Sequence, residues 1–242
     1  FSQALCFFKY FLGVFRITKK QKYSLVYASS SRLFTASLAV LIKNLQNSPY
    51  LYLDIRDIFF ETITDVFDKN IVLTNILKLV IPPIEYYTFK NSDHINLVSP
   101  GFKDYFNKFK FQKNLNFSFF TNGIDDEFLK TKENSRSKKN IDSVKIIYAG
   151  NIGSSQCLDK TLPKIAKNLG DNYKFCIYGD GARKNKLLDE IEFYKLKNIS
   201  INNPIAREEL IIEYENSDIL FMQVDDKLAF KRVIPSKLFE YS

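Results

Sequence analysis

Apolar residues recur along this chain in short β-branched runs separated by stretches of helical spacing. In the second part the alternation is regular. Residues 144–148, 173–178, 198–201 and 219–223 read as buried strands. Helices are predicted between them, one through Leu162 and Ile165, then over 183–195 and 207–216, and a last one opens at Pro235 or Ser236. In the first part the strands fall at 24–28, 50–55, 95–99 and 117–120. Helices are predicted over 1–17, 33–45 and 102–109, and around 71–80 with a second one starting after Pro82-Pro83. Strands alternating with helices predict the α/β class with parallel, doubly wound sheets.

Residues 129–143 are polar and charged, and Asn122-Gly123 marks a tight turn just before them. A domain at 1–128, a linker at 129–143 and a second domain at 144–242 follow. The chain opens on Phe1, has its only methionine at Met222, and stops at Ser242 inside an apparent helix. It reads as an internal piece of a longer protein, lacking both ends.

The stretch at 144–158 carries the first hint of chemistry. A strand breaks at Gly150 and Gly153, and Ser154, Ser155 and Gln156 then open the next helix. Strand, glycine turn and helix start are what a phosphate needs: close backbone approach and the positive end of the helix dipole. Many α/β connections use such a turn with no ligand, so the motif counts only in company.

Composition narrows the classes. At 45% hydrophobic and 15% aromatic the chain can build cores, which excludes a disordered tail. Three distant cysteines without a Cys-x-x-Cys pattern point to reduced thiols in the cytoplasm. One histidine, His94, excludes a His-rich metal site and leaves a Ser-His-Asp triad without a nucleophile motif. Residues 1–140 hold 20 Lys+Arg against 12 Asp+Glu, whereas 141–242 hold 15 of each. The basic excess therefore belongs to the first part, which suits an anionic surface such as lipid head groups or nucleic acid; solubility alone would account for it too. The helix over 1–17 is apolar nearly all round, a core helix by default or one pressed on a membrane surface. No apolar run reaches spanning length. Arg56-Asp57 follow an apolar strand at once, where open α/β sheets place ligands; a surface ion pair is the plain alternative.

Several segments in order resemble one family. Tyr148-Ala-Gly-Asn-Ile-Gly153, Ile177-Tyr-Gly-Asp-Gly181 and Pro235-Ser-Lys-Leu-Phe-Glu-Tyr241 resemble the donor half of family 4 (group 1) glycosyltransferases. Val98-Ser-Pro-Gly-Phe-Lys-Asp-Tyr105 and Thr121-Asn-Gly-Ile-Asp125 resemble the acceptor half and its hand-over. The nearest flavour is the bacterial hexosamine and fucosamine transferases of surface-polysaccharide assembly. The resemblance implies a GT-B fold, two Rossmann-like domains facing across a cleft, both incomplete here, with retention of anomeric configuration and no metal or cofactor.

It also assigns residues. Glu240 matches the second glutamate of the family's Glu-(seven residues)-Glu motif, which holds the donor ribose hydroxyls, while the first glutamate's place is taken by Arg232. The family's Arg and Lys after the first donor strand are replaced by Asn151 and Gln156. The diphosphate then falls to amides at Gly153, Ser154, Ser155 and Ser236, aided by Lys237 and by Lys231 or Arg232; Lys237 as a solvent-exposed helix residue is the alternative. Gly150, Gly179 and Gly181 would shape the nucleotide pocket, Pro204 and Ile205 would wall the base, and Arg56, Asp57 and Lys237 would serve catalysis.

The implied activity is transfer of a sugar from a nucleotide-diphosphate donor, UDP-HexNAc or a relative, to a lipid-linked saccharide at the inner membrane face. The basic first domain would dock there on anionic lipid. A GT-B sugar-nucleotide epimerase and an inactive sugar-nucleotide-binding subunit are the alternatives. A nucleic-acid binder, suggested by aromatics among lysines at 102–111, yields to core packing because those aromatics recur at helical spacing.

Overall fold

A computed structural model describes residues 2–30, 32–46, 50–66, 71–109, 115–129 and 143–242. The first elements are α1 (Ser2–Thr18), β1 (Leu25–Ser30), α2 (Leu33–Gln46), β2 (Tyr50–Ile55), α3 (Phe59–Val66) and α4 (Ile71–Lys90). There follow β3 (His94–Leu97), α5 (Lys103–Phe106), β4 (Asn116–Ser118), α6 (Asp126–Leu129), β5 (Val144–Ala149) and α7 (Leu158–Leu169). The last are β6 (Tyr173–Tyr178), α8 (Lys184–Phe193), β7 (Ile199–Asn202), α9 (Arg207–Glu215), β8 (Ile219–Leu220), α10 (Leu228–Lys231) and α11 (Lys237–Glu240). They form two compact units, one of 1–122 with 227–234 and one of 123–226 with 235–242. Of the expected linker, residues 130–142 lie outside the described residues.

In the first unit four parallel strands run in the order β1-β2-β3-β4. Because successive strands step in one direction, right-handed crossovers carry their connecting helices to the same face. The alternation of side chains agrees. Leu51, Leu53, Ile55, Ile95 and Leu97 are fully buried and pack with Ala36 and Val40 of α2, Phe89 of α4 and Phe106 of α5. The opposite face carries Ser29, Asp54, Asn96 and Ser118, which are register partners in one row across the sheet. Beside them Tyr27, Tyr52 and His94 form a second row, with ring centroids 5.6 and 4.7 Å apart.

Two expectations change here. The helix thought to break at Pro82-Pro83 is continuous from Ile71 to Lys90. The two prolines leave the carbonyls of Lys78 and Leu79 without amide donors, but both residues are exposed, so water can serve those carbonyls. Nor is α1 a core helix: Phe7 packs on Phe34 at 5.6 Å, while Leu5, Phe8, Tyr10 and Ile17 are 49–68% exposed. The returning segment 227–234 is held by Ser99, whose hydroxyl donates to the carbonyl of Arg232, and by the Arg232 Nε, 3.5 Å from Glu61 Oε1.

The second unit has the order β7-β6-β5-β8, again all parallel. The chain steps outward from β5 to β6 and β7, then returns to the far side of β5 as β8. That reversal puts helices on both faces. Ile146 and Tyr148 point into a core with Leu158, Leu162 and Ala166 of α7, while Ile147 and Ala149 point into another with Phe128 and Tyr214. Helix α7 begins at Leu158 rather than at Ser154–Gln156. Cys157 has φ +49°, a left-handed conformation that ends a separate turn before the helix starts.

Candidate nucleotide site

Open α/β sheets bind ligands outside the carboxyl ends of their strands, where the strand order reverses. In the second unit that point is the end of β5, and a cavity of about 390 Å³ opens there. Ala149, Gly150 and Asn151 line it from β5, Tyr178, Gly179 and Asp180 from β6, Pro204 and Ile205 from the segment after β7. Leu210 and Tyr214 of α9 and Lys237 and Glu240 of α11 complete the wall.

The loops leaving β5 and β6 are pressed together. The amide of Gly150 donates to Tyr178 O and that of Ile152 to Asp180 O, both at 2.8 Å, and the amide of Arg183 returns to Ile152 O at 2.9 Å. A Cβ on Gly179 would sit 1.9 Å from the Gly150 carbonyl oxygen, so only glycine permits this approach.

Lys237 is held from below. Its Nζ donates to the Tyr148 hydroxyl at 3.0 Å and lies 4.1 Å from that ring's centroid. The same hydroxyl donates to Asn151 O at 2.6 Å. Burial pushes the Tyr148 phenol well above its ordinary range, so it remains a donor at neutral pH. Burial also brings the Lys237 ammonium down to about 8, with the Glu240 carboxylate pulling the other way. Glu240 shares the cavity wall, and among the described residues no side chain is hydrogen-bonded to its carboxylate. Tyr214 is 8% exposed, and its hydroxyl has no hydrogen-bond partner among the described residues.

Gly150, Asn151, Gly179, Pro204, Ile205, Lys237 and Glu240, picked from the sequence, thus meet at one cavity. Gly153, Ser154, Gly181 and Ser236 do not line it. The Gly153 amide is engaged by Gln156 Oε1 at 3.3 Å, and a Cβ on Gly181 would meet the Ile152 carbonyl at 2.5 Å. These glycines serve the loop packing. Ser236 is exposed before a helix of a single turn. Arg232 belongs to the first unit, where it pairs with Glu61, and it is not among the residues that line the cavity. Sequence reading missed Tyr148 and Tyr214, which present themselves in the sequence only as strand and helix hydrophobics.

In the first unit Arg56 is bound to Asp54. Its Nε lies 3.1 Å from Asp54 Oδ2 and donates to Ser29 Oγ at 2.9 Å, and its Nη1 donates to Asn122 Oδ1 at 2.8 Å. Asn96 Nδ2 and Ser29 Oγ each donate to Asp54 at 2.7 Å. Burial raises the Asp54 carboxyl, but these hydrogen bonds and the Arg56 charge outweigh it and hold the group below its ordinary value. Asp57 follows, half-buried. The signal that could have found Asp54 was an acid inside an otherwise apolar strand. Among the described residues, no three His, Cys, Asp or Glu side chains gather as a metal site would need.

No protein family matches this sequence, and no curated protein does. Solved structures are similar in fold. The pneumococcal O-GlcNAc transferase GtfA, in complex with UDP and GlcNAc, superposes with a TM-score of 0.57 at 12% identity, over 94% of this chain and 42% of that one. The lipopolysaccharide outer core galactosyltransferase WaaB, in its apo form, gives 0.55 at 10% identity over 89% and 54%. Sucrose-phosphate synthase from Thermosynechococcus elongatus gives 0.55 at 11% over 82% and 49%. The chain spans about half the length of these structures. What it shares with them is the fold: α/β with two parallel sheets, of the GT-B type.

Proposed function

We propose that this chain forms the donor-binding and acceptor-side units of a glycosyltransferase, which moves a sugar from a nucleotide-diphosphate donor, UDP-HexNAc or a relative, to a lipid-linked saccharide in cell-surface polysaccharide synthesis. The observation that carries the reading is the meeting of Lys237 and Glu240 with the glycine turn of β5 at the reversal point of the second sheet. Glu240 accepts from two ribose hydroxyls, as an ionised carboxylate can. Lys237, over Gly150, neutralises the diphosphate and the charge that grows on it as the glycosidic bond breaks. Pro204 and Ile205 flank the base. Arg56 and Asp57, with Asp54 holding the guanidinium, are assigned to the acceptor hydroxyl. No side chain is proposed as a covalent nucleophile, in keeping with displacement on one face of the sugar and retention, without a metal.

A second reading is favoured by Arg232. If the first glutamate is indispensable to turnover, the chain is a sugar-nucleotide-binding subunit, and calorimetry would show binding without product across an acceptor panel.

The deciding experiment is thermal shift of the full-length protein against UDP, GDP, ADP and their sugars, with Glu240→Ala in parallel. A ligand at a hundred times its Kd stabilises by about 2.7 kcal/mol. A uridine nucleotide is expected to raise the melting temperature of the wild type, and the variant to lose most of the shift. An unchanged shift in the variant, or none in the wild type, overturns the assignment.

A further inference from the structure

We propose that the outer surface of the α1, α2 and α4 layer in the first unit docks on an anionic lipid bilayer. This inference concerns a surface remote in kind from the nucleotide cavity and does not rest on the sugar-transfer reading, although a lipid-linked acceptor would give it a purpose.

The three helices are one layer. Phe7 of α1 packs on Phe34 of α2, and the Gln46 side chain donates to the carbonyl of Thr18. Ser37 of α2 is 2.9 Å from the hydroxyl of Thr88 on α4, and Asn44 donates to the Tyr87 hydroxyl at 3.3 Å. The outward side of that layer exposes several large apolar side chains. On α4, Val72, Ile76, Leu79, Val80 and Tyr87 recur on one side of the helix and are exposed, Leu79 by 77%. On α2, Phe34, Leu41 and Leu45 repeat at seven and four residues and are exposed too.

Charge identifies the occupant. The first acidic residue of the whole chain is Asp54, after seven basic ones. Across α1, α2 and α4 the only acid is Glu85, which is fully buried. Lys9, Arg16, Lys78 and Lys90 on these helices are exposed, and Lys19, Lys20 and Lys22 follow α1. Lys and Arg beside exposed aliphatic and aromatic groups are what an interfacial surface presents, the cations to lipid phosphates and the apolar groups to the acyl boundary. A second copy of the chain is disfavoured because this face would meet its own positive charge. Nucleic acid is disfavoured because the exposed stripe of α4 is chiefly aliphatic, and Ile, Leu and Val offer nothing for bases to stack on. Among the described residues no helix is long and apolar enough to cross a membrane, so docking is on the surface.

The test is co-sedimentation of the full-length protein with phosphatidylcholine vesicles and with vesicles carrying about a third phosphatidylglycerol. Three proteins are compared: wild type, Lys9→Glu with Lys90→Glu, and Ile76→Ser with Leu79→Ser. All four positions are exposed, and melting curves verify the fold. Wild type is expected on anionic vesicles only and is released by salt. The double charge reversal should lower partitioning more than tenfold, at about fivefold per basic group. The serine pair should weaken binding that survives moderate salt. Absence of binding, equal binding to both vesicles, or a salt-sensitive complex with an acidic protein or a second copy in place of lipid would overturn the proposal. The nucleotide-dependent melting shift, measured on the same variants, keeps the two readings apart: it should be unchanged whichever way the vesicles answer.

Discussion

A Cβ added to Gly150 would lie 2.0 Å from the Nζ of Lys237, although the two residues are far apart in sequence. The lysine thus rests on the backbone at the end of β5, with Tyr148 beneath it. Its ammonium titrates near 8 because burial disfavours the charge. The folded value lies below the unfolded one, so relative to Lys237→Met the wild type gains stability as pH rises from about 8 towards 10.5. Affinity for a nucleoside diphosphate should move the other way. It is strongest below pH 8, declines above it, and binding near pH 8 takes up a proton, seen by calorimetry in buffers of different ionisation enthalpy. Lys237→Met should bind more weakly with a flat profile.

Gly150→Ala should displace that lysine. Position 150 also has φ +139°, a conformation open chiefly to glycine. A loss of about 1–3 kcal/mol in stability is expected from the overpacking. The nucleotide-dependent melting shift should fall to that of Lys237→Met, and a full shift in the alanine variant would refute the placement.

Glu85 predicts a pH effect in the first unit. Burial raises its carboxyl to about 7, despite hydrogen bonds received from the Tyr105 hydroxyl and, at 2.8 Å, the amide of Phe60. The stability that protonated Glu85 lends is full below about 4.5 and is lost as pH rises through 7. The loss is at most about 3 kcal/mol. Urea titrations at pH 5 and 8 should show it, and Glu85→Gln should remove most of the difference.

Arg232→Glu restores the residue that the resemblance would place there, yet it should harm the protein. Arg232 and Glu61 are both largely buried and paired at 3.5 Å. Two carboxylates would then face each other, at a cost on the order of 3–5 kcal/mol. A drop in melting temperature without improved nucleotide binding is expected. Tighter nucleotide binding would return position 232 to the cavity.

Mutation of the buried row on the first sheet should separate structure from recognition. Asn96→Ala removes the donor to Asp54 Oδ1 at 2.7 Å and leaves a buried carboxylate oxygen short of a partner. A loss of about 1–3 kcal/mol is expected by chemical denaturation. Arg56→Ala, at a side chain 47% exposed, should cost little stability but lower the sugar transfer proposed above.

Local pattern determined much of this protein. Short apolar runs set strands at 50–55 and 173–178 with the bounds that are observed, and the alternation with helices set parallel sheets. Short motifs also pointed to Gly150, Gly179, Lys237 and Glu240 as neighbours. Tertiary structure alone decided the partners: Tyr148 under Lys237, Asp54 behind Arg56, and Glu61 with Ser99 for Arg232. It also decided that α4 runs through two prolines and that α7 waits for Cys157. The reason is range. Side-chain period and turn chemistry act over a few residues, whereas these pairings depend on strand register and on which way each crossover carries the chain.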